Sequence, residues 1–393
     1  MRHAGYILFL CLTLSGMMCG CWNRQEPERL SIITAIAFDY DEGKDQYIIT
    51  LQVARPALLG APEEPGGQGE SVPFYAPALQ GDAPYQVLRS FEAEFVREAF
   101  WAETEAILIG EALARRGVRP VLDLLERERQ FRLTAKAYVV KGQAGPILEQ
   151  PFAYQTLTGI ALRRMVETGA GALSMTPQGT LLDRSMELAR PGWEMFMPRL
   201  LPREVDELTI PNPVRLEGGG VFRDDRMVGW FDGRATRGWY LISGKFGRSN
   251  LIMDLGEGPG KVAVELIRYQ GQLSLEWEDD MPRFVVEVRL SGRVQGQTGA
   301  EGISVPSPLL AELEDKLGKE MEEDIAQAVL LAQQLQSDIM GFGEMVYRKH
   351  PHRWTQLEER WYSQVFPALE VKAEVRVEID RSGMIVEPTV RRK

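Results

Sequence analysis

The stretch KVAVELIRYQGQLSLEWEDDMPRFVVEVRLSGRVQG, residues 261–296, decides the fold of the second half of this 393-residue chain. Apolar and polar residues alternate along both of its arms, a pattern that is typical of strands with one buried face. The polar sequence DDMP at 279–282 separates the arms and predicts a turn. We therefore predict two long strands that are neighbours in one sheet.

The clearest helix of the chain is predicted directly after these strands. Ser307 is a suitable N-cap and Pro308 a suitable first helical residue. A single apolar stripe then recurs every three or four positions, and it consists of Leu309, Leu313, Leu317, Met321, Ile325, Val329 and Ala332. We expect the stripe to lie across the neighbouring sheet, with a coiled coil as the alternative.

A further alternating strand, EVKAEVRVEI, is predicted at 370–379. The order strand, strand, long helix, strand predicts an antiparallel sheet with its helix on one face.

The first half of the chain opens with a predicted hairpin. Two β-branched runs, SIITAIAFDY at 31–40 and QYIITLQVARP at 46–56, flank the acidic, glycine-containing turn DEGKD. Residues 57–84 are rich in Pro, Gly and Glu, a composition that buries too little apolar surface to offset the entropy of ordering. We expect a mobile loop there.

Alternating helices and strands are predicted between residues 85 and 192. The first helix, 85–100, carries an apolar face of Val87, Leu88, Phe91, Phe95 and Val96. The other segments are a strand at 105–110, one or two helices at 111–128, a strand at 131–142, and helices near 154–169 and 179–192. This order predicts a mixed α/β domain with helices packed on a sheet.

Two prolines, Pro211 and Pro213, predict a domain junction near residue 210. After them come a hairpin turning at Asp224-Asp225 and one or two helical turns in ATRGWYLISGKFG. The fold class is therefore a multi-domain α+β or mixed α/β protein with antiparallel and mixed sheets. The predicted domains are 31–210 and 211–393, the latter divided into a connecting subdomain at 211–260 and a sheet with the long helix at 261–393.

The extreme N-terminus contains all three cysteines, at positions 11, 19 and 21. Residues 1–20 match a signal peptide, in which Arg2 and His3 precede about fifteen apolar or small residues. Gly20 stands directly before Cys21, and the sequence MCGC resembles the bacterial lipobox, with Met18 and Cys19 in place of its usual residues. We predict that Cys21 carries a diacylglyceryl group and an N-acyl chain, with residues 21–30 as a tether. An ordinary, discarded signal peptide is the alternative.

The charge of the mature chain restricts its partners. Removal of Arg2 leaves 44 basic and 56 acidic side chains, a net charge of 44 − 56 = −12. Such a surface repels nucleic acid and anionic lipid headgroups alike, so no nucleic acid partner is expected. No later run approaches the length of a membrane-spanning helix, so membrane contact is expected through the lipid. The mature chain would have no disulfide.

Catalytic and metal-binding patterns are scarce. His350 and His352 could contribute to a metal site if carboxylates converged on them, but a solvated basic loop after a helix is the favoured interpretation, so no metal site is predicted. GWYLISGK at 238–245 has five residues between its glycines where a phosphate-binding loop needs four, and Phe246 replaces the hydroxyl residue. The glycines at 218–220 and 341–343 are interpreted as turn and kink positions. We predict no enzymatic activity and no cofactor.

Four stretches resemble the Ger(x)C family of spore germination lipoproteins. They are CGCWNRQEPERLSIITAIAFDYDEG with YIITLQVARP (19–56), the segment from EAILIG to YVVKG (105–142), GGGVFRDDRMVGWFDGRATRGWYLISGK (218–245), and SDIMGFGEMVYRKHPHRWTQLEERW with FPALEVKAEVRVEIDRSGMI (337–385). Trp22 and Arg24 match the family's opening motif. The resemblance spans nearly the whole mature chain.

The resemblance implies the C-type subunit of a germinant receptor. Such a subunit is a lipoprotein on the outer face of the inner spore membrane, beside an A-type and a B-type membrane subunit, with a three-domain mixed α/β fold. It implies Cys21 as the lipid acceptor and provides no catalytic residues. A solute-binding lipoprotein, which would need two similar lobes around a cleft, is the alternative function, and a cell-envelope hydrolase is a third.

Overall fold

The computed structural model describes residues 29–58, 72–152, 155–203, 212–254, 260–298 and 307–380. Two sheets contain all fourteen strands described in these ranges. The described strands are β1 Leu30–Asp41, β2 Gln46–Ala54, β3 Phe74–Tyr75, β4 Ala78–Gly81, β5 Glu98–Phe100, β6 Ala106–Gly110, β7 Lys136–Val140, β8 Phe196–Pro202, β9 Val214–Arg223, β10 Arg226–Phe231, β11 Ser249–Asp254, β12 Lys261–Glu278, β13 Met281–Thr298 and β14 Glu370–Asp380.

Helices pack on both sheets. The described α-helices are α1 Pro84–Glu94, α2 Glu111–Arg116, α3 Arg119–Arg127, α4 Gly145–Leu148, α5 Thr158–Arg164, α6 Leu181–Ala189, α7 Gly233–Ser243, α8 Ser307–Gln334, α9 Phe342–Lys349 and α10 Pro351–Leu357. The region 111–128 thus forms two helices, and the helices predicted near 154–169 and 179–192 are confirmed. α7 has three turns, more than predicted, since Asp232 caps its start by accepting a hydrogen bond from Ala235 N at 2.8 Å.

The larger sheet has ten strands in the order β10-β9-β8-β7-β6-β1-β2-β3, with β4 on β2 and β5 on β1. The predicted β1–β2 hairpin is confirmed. The centre of the larger sheet is parallel and consists of β1, β6, β7 and β8. Successive β1 residues enter different apolar cores, Phe38 on one face and Ala37 on the other. Burial of both faces explains why β1 is an almost continuous apolar run.

Two predictions for the first half need correction. The first helix ends at Glu94 rather than Phe100, because Phe95 already has an extended backbone, and Val96 is 102% exposed instead of lying on a buried face. Part of the segment predicted as a mobile loop is ordered, since β3 and β4 both pair with β2. Residues 59–71 of that segment lie outside the described residues.

The smaller sheet has the order β11-β12-β13-β14. β12 and β13 pair antiparallel around the turn at Asp279 and Asp280, as predicted. β14 pairs parallel with β13, so the prediction of a fully antiparallel sheet was wrong. The 28-residue α8 explains the difference, because a long crossover helix returns the chain to the end of the sheet from which β13 started.

The apolar stripe of α8 is buried against the sheet and α7, which confirms its predicted packing. Leu317, Met321 and Ala332 are fully buried in the same apolar core as β12, β13 and β14. The helix also covers the free edge of β14, where Glu322 and Glu314 accept hydrogen bonds from Val375 N and Ile379 N at 3.0 and 2.8 Å. Covered N–H groups of this kind oppose the addition of a strand from another chain at these positions. The Ser307 cap and the side chain of Leu309 lie outside the described residues.

The hairpin β9–β10 is hydrogen-bonded into the larger sheet through β8. Residues 214–231 therefore extend the sheet of the first half, although the sequence prediction groups them with the second half. The position of the domain boundary near residue 210 stays a prediction.

Candidate functional site

The lipid acceptor predicted from the sequence, Cys21, lies outside the described residues, which begin at Arg29. The lipid at this position therefore stays a prediction. Among the described helices, none combines the length and the apolar character needed to cross a membrane.

The glycine motifs considered as phosphate sites have other positions in the fold. GWYLISGK forms the last turns of α7, where Gly244 ends the helix with a left-handed φ of 73°. The glycines at 218–220 lie within β9. The N–H groups of both segments are therefore part of regular structure instead of surrounding an anion.

The two histidines do not form a metal site with described residues. His350 lies between α9 and α10, and its ring is 5.3 Å from the ring of Trp277 in an edge-to-face contact. Across the described ranges, no group of three or more His, Cys, Asp or Glu side chains is placed to hold a metal ion.

A buried carboxylate organises the segment where the two sheets meet. Asp338 is fully buried, and its Oδ1 accepts hydrogen bonds from Gly341 N at 2.9 Å and Phe342 N at 3.1 Å. Its Oδ2 accepts from Gly343 N at 2.7 Å and from the indole Nε1 of Trp361 at 3.1 Å. The left-handed φ of 75° at Gly341 turns the successive N–H groups toward the carboxylate. The 341–343 segment thus binds an anion supplied by the protein itself.

The carboxylate of Asp338 has a perturbed proton affinity. Burial raises the pKa of Asp338 to about 7, although the N–H donors around it act in the opposite direction. Both oxygens are already occupied by protein donors. Asp338 therefore has a structural role and no free lone pair in a position to act on a substrate.

Three segments of the chain interlock around Asp338. The N–H of Glu194 donates to the Asp338 carbonyl oxygen at 3.0 Å, and the N–H of Glu344 donates to Gly192 O at 3.0 Å. From the β9–β10 hairpin, Arg223 Nη1 donates to Gln336 Oε1 at 2.8 Å. We call the loop 190–194, the hairpin tip 222–226 and the segment 336–344 the junction. It joins the larger sheet to the smaller one by backbone hydrogen bonds as well as side chains.

Glu194 is the second buried acid of the junction. Its side chain accepts a hydrogen bond from Asp224 N at 2.7 Å and one from the hydroxyl of Tyr362. Burial raises the pKa of Glu194 to about 7, and the negative charges of Asp224 and Asp338 act in the same direction. A carboxyl group with a pKa near 7 is suited to proton transfer, but Glu194 is only 4% exposed and faces protein donors.

Replacing Tyr362 by phenylalanine is expected to lower the free energy of unfolding by about 1.5–3 kcal/mol, because it removes a hydrogen bond to a buried carboxylate. The measurement is urea denaturation followed by tryptophan fluorescence. The control is Tyr347→Phe, at a ring that is 42% exposed, where a change within about 0.5 kcal/mol is expected. Equal effects of the two substitutions would contradict the role of the Tyr362 hydroxyl.

A cleft of about 540 Å³, open to solvent, borders the junction. Trp193 and Tyr269 contribute aromatic walls, and Arg348 and Lys349 contribute positive charge. In the described part of the chain, no serine or threonine hydroxyl forms a hydrogen bond with a histidine, as a nucleophile and its base would. The cleft therefore provides shape and charge, without a hydroxyl–histidine pair among the described residues.

The comparisons with known proteins cover almost the whole chain. The family model described as "Spore germination protein N-terminal domain" matches residues 23–201, and the one described as "Spore germination B3/ GerAC like, C-terminal" matches residues 217–383. Together the two models leave only 202–216 unmatched between them. The junction is therefore built from segments of both matched regions.

Several proteins of Bacillus subtilis (strain 168) are similar to this chain over most of their length. Spore germination protein KC is 24% identical, and the match covers 93% of this chain and 92% of that protein. Putative spore germination protein YfkR is 23% identical, with 98% of each covered, and spore germination protein B3 is 19% identical, with 94% and 95% covered.

The crystal structure of the GerBC protein has a similar fold. Its TM-score is 0.54 at 17% sequence identity, and the match covers 88% of this chain and 97% of that chain. At this identity the likeness concerns the fold alone. It agrees with the mixed α and β, multi-domain architecture described above.

Proposed function

The chain belongs to the Ger(x)C family of spore germination proteins, and we propose that it is the lipid-anchored C-type subunit of a spore germinant receptor. The anchor is a diacylglyceryl and N-acyl group on Cys21. The subunit has no catalytic role and supports the assembly or the signalling of the receptor on the outer face of the inner spore membrane. Its partners there are an A-type and a B-type membrane subunit.

The observation that carries the proposal is the match of two spore germination family models to 23–201 and 217–383. A match over both halves supports a role for the chain as a whole, since more than a single domain is shared with the family. The sequence MCGC before Trp22 supports the lipid anchor, since two or three acyl chains hold a protein at a bilayer where one is marginal. The occupied oxygens of Asp338 and the buried position of Glu194 support a non-catalytic role.

The solute-binding alternative is not favoured by the architecture. A binding protein of that class closes two similar lobes around its ligand. Here the two sheets have ten and four strands in different orders, and backbone hydrogen bonds at the junction hold them together.

Replacing Cys21 by alanine is expected to abolish incorporation of labelled palmitate and to move the protein from the membrane fraction to the soluble fraction. Loss of the acyl chains removes roughly 0.8 kcal/mol of membrane affinity for each buried methylene. Cys19→Ala is the matched control, and it is expected to leave labelling and membrane association unchanged. Palmitate in the Cys21→Ala protein would assign the lipid to another residue.

The receptor role is tested in the source organism by the response of its spores to nutrients. Deletion of the chain is expected to remove the response to at least one germinant, and the Cys21→Ala chain is expected to restore it poorly. Unchanged germination in every nutrient after deletion would refute the role. Tight binding of a nutrient amino acid or sugar by the isolated mature chain, measured by calorimetry, would favour the solute-binding alternative.

A further inference from the structure

One end of the larger sheet lies where the described chain begins. The parallel pairing of β1 with β5 places Leu30 opposite Glu98 and Ser31 opposite Ala99. The loop Phe95–Arg97 therefore lies beside the point at which the chain continues toward Cys21. In the antiparallel β1–β2 pair, Ile33 lies opposite Val53, so the segment that follows β2 is at the same end.

Apolar side chains are exposed to solvent at this end of the larger sheet. Residues of the three segments line an open cleft of about 680 Å³, together with Tyr75. Val96 is fully exposed at the tip of its loop and Tyr75 is 37% exposed. We call the residues Arg55–Leu58, Tyr75 and Phe95–Arg97 the anchor-side face.

The charge at this face differs from that of the whole chain. Arg55 and Arg97 are exposed, and neither forms an ion pair with another described residue. The guanidinium of Arg55 lies over the ring of Tyr75, 5.4 Å from its centroid. Two exposed acids, Glu94 and Glu98, flank the loop, so attraction to an anion depends on the two arginines. Exposed arginines beside an apolar loop are the combination that binds the interface of an anionic bilayer.

We propose that the anchor-side face rests on the phospholipid bilayer, with Val96 in the interfacial region and with Arg55 and Arg97 against anionic headgroups. The inference depends on the lipid anchor proposed above and adds an orientation to it. Residues 22–28 separate Cys21 from Arg29, and seven extended residues span at most about 25 Å. The anchor therefore keeps this face near the membrane at high effective concentration, and a contact that is weak by itself suffices to orient the protein.

The test uses the lipidated mature chain on vesicles of phosphatidylcholine with about one third phosphatidylglycerol. Cys11 and Cys19 precede Cys21, and lipid blocks the Cys21 sulfur, so Val96→Cys provides the only free thiol for a polarity-sensitive dye. Leu330→Cys, at a residue of α8 that is 54% exposed, is the matched position away from the face. We expect the emission of the dye at position 96 to rise at least about threefold on vesicle binding and to remain unchanged at position 330.

The contribution of charge is tested in the Val96→Cys background. Arg55→Glu with Arg97→Glu is expected to remove most of the rise, whereas the control pair Lys372→Glu with Arg376→Glu on the exposed face of β14 is expected to leave it unchanged. Loss of the rise with both pairs would mean that net charge, rather than this face, governs the contact, and would overturn the proposal.

The remaining outcomes distinguish the proposal of a lipid anchor on Cys21 from the proposal that the anchor-side face contacts the bilayer. Protein that floats with the vesicles without a dye response at position 96 overturns the docking face and leaves the lipid anchor intact. A mass spectrum with an unmodified Cys21, in protein that does not float, removes the anchor and with it the premise of the docking face. A response that requires membranes containing other proteins, and is absent on pure lipid, assigns the face to a protein partner and also overturns the proposal.

Discussion

The substitution Asp338→Ala is expected to lower the free energy of unfolding by about 4 kcal/mol or more. The substitution leaves Phe342 N, Gly343 N and Trp361 Nε1 without an acceptor in the interior. Gly341 N keeps only the carbonyl oxygen of residue 338, at 3.3 Å. Each buried donor left unpaired costs about 1–3 kcal/mol. Denaturant titration at a pH of about 7.5 measures the change.

An exposed aspartate provides the control for Asp338. Asp315 on α8 is 62% exposed and pairs with Lys319 one turn away, so Asp315→Ala is expected to change the free energy of unfolding by less than about 0.5 kcal/mol. A loss at Asp338 no larger than the loss at Asp315 would show that the four hydrogen bonds do not stabilise the junction.

Asp338 also contributes to the pH dependence of the free energy of unfolding. The folded-state pKa of Asp338 is raised to about 7 from 3.8, so the folded chain holds this proton more tightly than the unfolded chain. The free energy of unfolding therefore decreases as pH rises from about 4 to about 7 and levels off above that range. Glu194, whose pKa is also raised to about 7, contributes in the same direction. Asp338→Asn is expected to reduce the slope without abolishing it, and an unchanged slope would place the effect elsewhere.

The sequence predicted the elements that have a strong periodic pattern. The β1–β2 hairpin, the β12–β13 pair and the α8 stripe all follow from apolar spacing. Strand β8 was not predicted, because Pro198 and Pro202 occur within it and proline normally interrupts a sheet. The structure places a register shift between Pro198 and Leu200, and this irregularity accommodates the proline. The direction of β14 could not be predicted either, since alternation does not distinguish parallel from antiparallel pairing.

The junction was harder to predict than the fold. Asp338 and Glu194 look like solvated acids in the sequence, and their partners come from segments as distant as Trp361 and Tyr362. The local signal that was available is an aspartate three residues before the glycines of GFG, since a carboxylate at the start of a helix often caps its N–H groups. The kink proposed at Gly341 is confirmed by its left-handed φ. Family resemblance, confirmed by the two matching models, provided the functional hypothesis that the individual residues did not.

The substitution Gly192→Ala is expected to separate the loop 190–194 from the segment 336–344 at the junction. Gly192 has a left-handed φ of 67°, and a Cβ atom there would lie 2.5 Å from the carbonyl carbon of Gly343 and 2.7 Å from the Trp354 ring. Gly343 faces it just as closely, since a Cβ on Gly343 would lie 2.8 Å from the Cα of Gly192. The backbones at Gly192 and Gly343 cannot move apart without breaking the hydrogen bond from Glu344 N to Gly192 O. We expect a loss of about 3–5 kcal/mol, which combines backbone strain with displacement of a packed core.

The substitution Gly244→Ala separates the cost of backbone strain from the cost of steric displacement. Its φ of 73° is almost that of Gly192, but no atom lies within 4 Å of a Cβ built there. Gly244→Ala therefore measures the cost of the left-handed backbone alone, about 1–2 kcal/mol. The excess loss in Gly192→Ala is the steric part, and it should be accompanied by faster proteolysis of the loop 190–194, because this loop is freed when the contact with α9 is lost. Equal losses at the two glycines would mean that the junction tolerates the added methyl group, and that the two sheets are not held together by the close approach of Gly192 and Gly343.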